Sequence, residues 1–87
     1  MTLEEQFHSA TQGVQSLTRR PSNEELLLLY ALFKQGSEGD VTGERPMGFD
    51  FKAIAKWQAW SDQKGKSKEA AMQEYIQLAD RLKTAYS

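Results

Sequence analysis

Tyr30–Trp60, YALFKQGSEGDVTGERPMGFDFKAIAKWQAW, decides how the rest of the chain is read. It opens on the apolar end of one helix, which carries an aromatic ring and a lysine, and passes into a glycine-rich loop. It closes on a second, short helix with Lys52 and Lys56 four apart and Trp57 and Trp60 three apart. On a helix those spacings bring each pair onto one face. Cations and rings are thereby gathered beside apolar surface, an arrangement suited to an amphiphile with a phosphorylated head and an apolar tail.

Working back from Tyr30, Ser22 and Glu25 have the spacing of a capping box, which opens a helix through Leu26, Leu27, Leu28, Leu29, Tyr30, Ala31, Leu32 and Phe33. This helix is apolar nearly all round, yet a domain this small cannot surround it. One stripe, Leu26, Leu29 and Phe33, is expected in the core. Leu27, Tyr30, Ala31 and Lys34 then form a second row, surplus to the core and of the kind that lines a binding groove. Further back, Thr2 and Glu5 make another capping box, followed by the stripe Leu3, Phe7, Ala10, Val14 and Leu17. Arg19-Arg20-Pro21 breaks that helix, because the residue before a proline is pushed out of the helical region. Gly13 within it is read either as a point of close approach or as simple tolerance.

Working forward, Gly36–Gly48 predicts a long ordered loop. It lacks the Gly-Lys-Ser/Thr of a phosphate loop and the alternating acids of a calcium loop. Glu44-Arg45-Pro46 is expected to anchor it. Asp50 is a good N-cap for the helix holding Phe51, Ile54, Ala55, Trp57 and Trp60, and Gly65 is a suitable stop after it. Ser67 caps a last helix whose stripe is Met72, Tyr75, Ile76, Ala79, Leu82 and Tyr86. No run alternates as a strand would. Four helices with one long link predict an all-α bundle.

The totals narrow the function. The 87 residues allow one small core, and 39% hydrophobic with 26% charged residues suits a globular chain. A net charge of -1 supplies no basic field for nucleic acid. There is no cysteine, hence no disulfide, thiolate nucleophile or Cys-based zinc site. The polar start MTLEEQF has no signal-peptide core, and Leu26–Leu29 is far too short to span a bilayer, so a soluble cytoplasmic protein is expected. The sole histidine, His8, lies off its helix's apolar stripe with no serine–base–acid logic around it, and no carboxylate pair stands out as an acid/base couple. Catalysis is not expected.

Tyr30-x-x-Phe33-Lys34-Gln35, Gly39-Asp40, Glu44-Arg45-Pro46, Asp50-Phe51-Lys52, Ala55-Lys56-Trp57-x-Ala59-Trp60 and Lys64-Gly65-x-Ser67-Lys68-Glu69 together resemble the acyl-CoA-binding protein family, over essentially the whole chain. The resemblance implies one acyl-CoA-binding domain over residues 1–87 and a four-helix up-down-down-up bundle. It implies an intracellular carrier and pool former for medium- and long-chain fatty acyl-CoA, without chemical change and with no cofactor. By position, Tyr30, Lys34 and Lys56 would hold the ribose 3′-phosphate and Phe33 would lie beside the adenine. Lys52 and Tyr75 would complete the head-group site. Leu26 and Leu27 would flank the acyl groove, with Gln15, Arg20, Ala31 and Leu32 at its walls and rim. Phe33 stands where tyrosine is common in the family, while Gln15 and Ile54 stand where lysines are common. Gln15 keeps a hydrogen-bond donor but no charge. A monomer without stable membrane insertion and without nucleic-acid partners completes the expectation. The alternatives are a helical interaction module with a degenerate groove, in which Lys34 and Lys56 need not converge, and a thioesterase or acyltransferase, for which no nucleophile–base set is visible.

Overall fold

The computed structural model describes residues 1–86. Its helices are α1 (Leu3–Gln15), α2 (Asn23–Glu38), α3 (Phe51–Ser61) and α4 (Lys68–Tyr86). Both capping boxes form. Thr2 and Ser22 accept the amides of Glu5 and Glu25 at 3.1 Å each, and the two glutamates accept in return from the backbone of Thr2 and Ser22. Asp50 accepts the Ala53 amide at 3.1 Å and Ser67 the Ala70 amide at 3.1 Å, so each helix start carries the cap its sequence encodes.

The helices lie in the order α1, α4, α2, α3, since α4 packs on both α1 and α2 while α3 packs on α2 alone. The core joins Phe7 of α1, Leu29 and Leu32 of α2, and Tyr75, Leu78, Ala79 and Leu82 of α4. Trp60, near the end of α3, donates its indole N–H to the Gly39 carbonyl just past the end of α2, at 2.8 Å. Helices α2 and α3 therefore run the same way. A parallel pair cannot be joined by a tight turn, so the chain from Gly39 to Asp50 travels back along α2. That is the down-down step of the expected up-down-down-up bundle. The C-terminal end of α4 is tied down by the Tyr86 hydroxyl, which donates to Glu25 at 2.7 Å, and by the Tyr86 carbonyl, which accepts from the Arg19 amide at 3.1 Å.

Several local expectations are corrected. Helix α1 ends at Gln15, ahead of the Arg19-Arg20-Pro21 break, and Leu17 reaches the core from the following loop. Gly13 meets nothing within 4 Å, and the close approach is instead at Gly36, where an added Cβ would come within 3.2 Å of Met72 and of Phe7. The core stripe of α2 is Leu29 and Leu32, with Gln35 and Gly36 also buried below them, whereas Phe33 is 40% exposed. Glu44 and Arg45 are exposed and make no side-chain hydrogen bond among the described residues. The crossover is anchored at its start, where Asp40 accepts the Gln35 side-chain N–H and the Gly65 amide, both at 2.9 Å. Gln35, fully buried, also donates to the Lys66 carbonyl at 2.7 Å, which joins the end of α2 to the α3–α4 turn.

These bonds predict an acid limit to stability. The Thr2 amide and hydroxyl hold the Glu5 carboxyl below its ordinary value. The Tyr86 hydroxyl and then the Ser22 amide do so for Glu25, and the Gly65 amide and then Gln35 for Asp40. Each carboxyl binds its proton more weakly folded than unfolded, so the stabilisation is complete above about pH 4–4.5 and lost as pH falls through the lowered folded values. Tyr86 works in the opposite sense. Its phenol is raised chiefly by the bond to Glu25, so its contribution holds below about pH 10 and is lost as pH rises through the folded value. The melting temperature is expected to drop between pH 6 and pH 3, and a flat profile over that interval would contradict these assignments.

Candidate functional site

A groove of about 450 Å³ runs between α2 and α3, lined at one end by Arg20, Asn23 and Leu26 and at the other by Tyr30 and Lys56. Leu27 of α2 and Phe51, Lys52 and Ala55 of α3 complete its lining. The geometry follows from two helical periods meeting. Leu26, Leu27 and Tyr30 succeed one another along α2, while Phe51 with Ala55 and Lys52 with Lys56 repeat at four residues along α3. Because α3 packs only against α2, its opposite flank stays open, and the leucines facing it are half-buried rather than sealed.

The cations are arranged over rings. The Lys56 ammonium stands 5.3 Å from the Tyr30 ring centroid, and the Lys34 ammonium 4.9 Å from that of Trp60. Among the described residues Lys56 has no carboxylate partner, whereas Lys34 is ion-paired with Glu38 one turn on. A dianionic head would find the Lys56 charge available at once and could take Lys34 only in competition with Glu38. Arg20, at the far end, is held by the Asn23 side chain at 2.9 Å.

Of the residues singled out from the sequence, Tyr30, Lys52, Lys56, Arg20, Leu26 and Leu27 line this groove. Phe33 and Tyr75 lie on the other flank of α2, toward α1. The Phe33 ring stacks on Phe7 at 5.7 Å, and the Tyr75 ring meets Phe7 edge-on at 5.1 Å. Tyr75 is only 4% exposed, and burial raises its phenol above the ordinary value, so its hydroxyl is a donor at neutral pH. Gln15 is exposed at the end of α1, while Ala31 and Leu32 are enclosed by packing and line no part of the groove. Sequence reasoning did not assign Asn23, Phe51 and Ala55 to the site. The four-residue repeat of Phe51 and Ala55 beside the two lysines is the signal that could have found the last pair. No group of three or more metal-binding side chains occurs among the described residues, and no helix is long and apolar enough to cross a membrane.

The family model described as "Acyl CoA binding protein" matches residues 4–79. An acyl-CoA-binding protein homolog of Drosophila melanogaster is 54% identical over 83 residues, covering 95% of this chain and 96% of that one. An acyl-CoA-binding protein of Saccharomyces cerevisiae is 47% identical over 81 residues, covering 93% of each. Among solved structures, the crystal structure of Oryza sativa acyl-CoA-binding protein 2 is similar with a TM-score of 0.92 at 42% identity, over 97% of this chain and 93% of the other. The solution structure of the yeast protein is similar with a TM-score of 0.75 at 47% identity, over 93% and 94%.

Proposed function

The chain belongs to the acyl-CoA-binding protein family, and from that premise we propose that its α2–α3 groove receives a fatty acyl-CoA. The protein is a binding and carrier protein for acyl-CoA, not an enzyme. In our reading the ribose 3′-phosphate is held by Lys56 and the Tyr30 hydroxyl, with Lys34 recruited from Glu38, and Lys52 adds charge along the head group. Phe33 offers a ring face to the adenine from the α1 side, and Tyr75 a hydroxyl. The acyl chain follows Leu26 and Leu27 toward Arg20. The observation that carries this is the Lys56 ammonium above the Tyr30 ring, 5.3 Å from its centroid and without an ion-pair partner among the described residues, beside the open leucine row. Charge-assisted bonds would set the head-group affinity, and each methylene buried would add about 0.8 kcal/mol, or roughly fourfold in affinity. We read the carrier as monomeric and cytoplasmic.

Calorimetric titration with hexadecanoyl-CoA, free CoA and hexadecanoic acid tests the function. Tight binding of the thioester, much weaker binding of either half alone, and recovery of intact thioester after long incubation are expected. Absence of heat with all three ligands would overturn the assignment.

A further inference from the structure

Tyr86, on the last turn of α4, is hydrogen-bonded to the chain on both sides of Pro21. Its carbonyl accepts the Arg19 amide at 3.1 Å and the Thr18 hydroxyl at 3.2 Å, and its hydroxyl donates to Glu25 at 2.7 Å. The Arg19 guanidinium lies 5.8 Å from the centroid of its ring and donates to the Ala85 carbonyl. The end of α4 thus grips Thr18, Arg19 and Glu25. The residues that line the far end of the groove are interleaved with these three: Arg20 and Asn23 lie between Arg19 and Glu25, and Leu26 follows Glu25 directly. Tyr86 itself lines no part of the groove.

The interleaving matters because the far end of the groove is built on the first turn of α2, where Asn23 is the opening residue. A first turn lacks part of the helical hydrogen bonding and opens locally at small cost in free energy. The capping box restrains it, but only by joining Ser22 to Glu25 within the same segment. The Tyr86 hydroxyl bonds the same Glu25 oxygen to a different helix, one that belongs to the core. Arg20 is positioned in turn by the Asn23 side chain at 2.9 Å. At about 1.5 Å per residue, Asn23 lies about 10 Å along α2 from Tyr30, so only a long acyl chain reaches this end. We infer that Tyr86 is a positioning residue for the acyl chain: without touching the ligand it fixes, through Glu25, the closure of the Arg20, Asn23 and Leu26 end of the groove on the distal methylenes, and with it the preference for long chains over short ones. The inference rests on the groove being the acyl-CoA site, with the acyl chain running toward Arg20.

Calorimetric titration of the wild type, Tyr86→Phe and Glu25→Gln with octanoyl-, dodecanoyl- and hexadecanoyl-CoA tests it, with circular dichroism checking that each variant is folded. Tyr86→Phe keeps the ring and the backbone bonds and removes only the hydroxyl. Glu25→Gln keeps an oxygen that accepts from Tyr86 and Ser22, and serves as the conservative control. Tyr86→Phe is expected to bind hexadecanoyl-CoA about threefold to tenfold more weakly, the worth of one or two methylenes, and octanoyl-CoA within about twofold of wild type. Glu25→Gln is expected to keep the wild-type ratio of hexadecanoyl to octanoyl affinity. A hydroxyl that served stability alone would lower the melting temperature and leave that ratio unchanged in Tyr86→Phe. An unchanged ratio there, or a ratio that falls equally in Glu25→Gln, would overturn the inference. Failure of the groove reading would appear separately, as wild-type protein that binds none of the three ligands, or as a Leu27→Ala variant whose affinities for all three match the wild type.

Discussion

Replacing Lys56 by alanine is expected to weaken acyl-CoA binding by about tenfold to a hundredfold, the usual worth of hydrogen bonds to a charged group, and to leave thermal stability nearly unchanged. Lys56 is exposed on α3, and its ammonium contributes to no ion pair among the described residues, so little in the folded protein depends on it. The form of the loss is as informative as its size. A head-group contact shifts the affinity for every chain length by the same factor, while the gain per methylene, set by the leucine row, stays as it was. Glu38→Gln provides the opposite sign. The Lys34–Glu38 pair is half-open to solvent, with side chains 24% and 52% exposed, and exposed helical pairs are worth only a few tenths of a kcal/mol. Freeing Lys34 is therefore expected to raise affinity by about twofold. Both effects are read by calorimetry across a series from octanoyl- to hexadecanoyl-CoA. A Lys56→Ala variant that binds within twofold of wild type, or whose methylene increment changes, would move the phosphate away from Tyr30 and Lys56.

The largest effect on stability is expected at Leu82, which is 2% exposed in the middle of the core. It sits on α4, the one helix that packs against both α1 and α2, so a cavity there loosens two interfaces together. Leu82→Ala is expected to cost about 2–5 kcal/mol, through the lost transfer energy of the side chain and the void left behind. Against a total of about 5–15 kcal/mol for a domain of ordinary stability, that is enough to bring part of the population to the edge of unfolding. Leu28→Ala, at a site 39% exposed on α2, is expected to cost well under half as much. Urea denaturation of the two variants against wild type measures the contrast. A Leu82→Ala loss below about 1 kcal/mol would mean that the centre of the bundle lies elsewhere.

Two of the corrected positions explain why the α2 readings diverged. In a helix that is apolar nearly all round, Leu26, Leu29 and Phe33 describe one stripe as well as Leu29 and Leu32 describe another, and periodicity alone cannot choose between them. The choice is made by Gly36, whose missing side chain admits Phe7 and Met72 and so turns that face of α2 toward α1 and α4. Phe33 is then left at the edge, stacked on Phe7, with part of its ring in solvent. Gln35 is a second case. Nothing local marks a glutamine for full burial, and its partners Asp40 and the Lys66 carbonyl are adjacent only after α3 has returned alongside α2.

By itself the sequence determined where the helices start and that there are four, because a capping box or an N-cap joins residues three apart and needs no third element. It also determined, through the matched residues of Tyr30–Glu69, the family and hence the acyl-CoA ligand. Only the tertiary structure decided which face of α2 is core and which is groove, that Lys56 stands over Tyr30 while Lys34 is held by Glu38, and that Phe33 and Tyr75 lie on the flank away from the leucine row. Those outcomes depend on which helices become neighbours, and the parallel α2–α3 pair is made by a crossover whose own residues carry no periodic signal of where it leads.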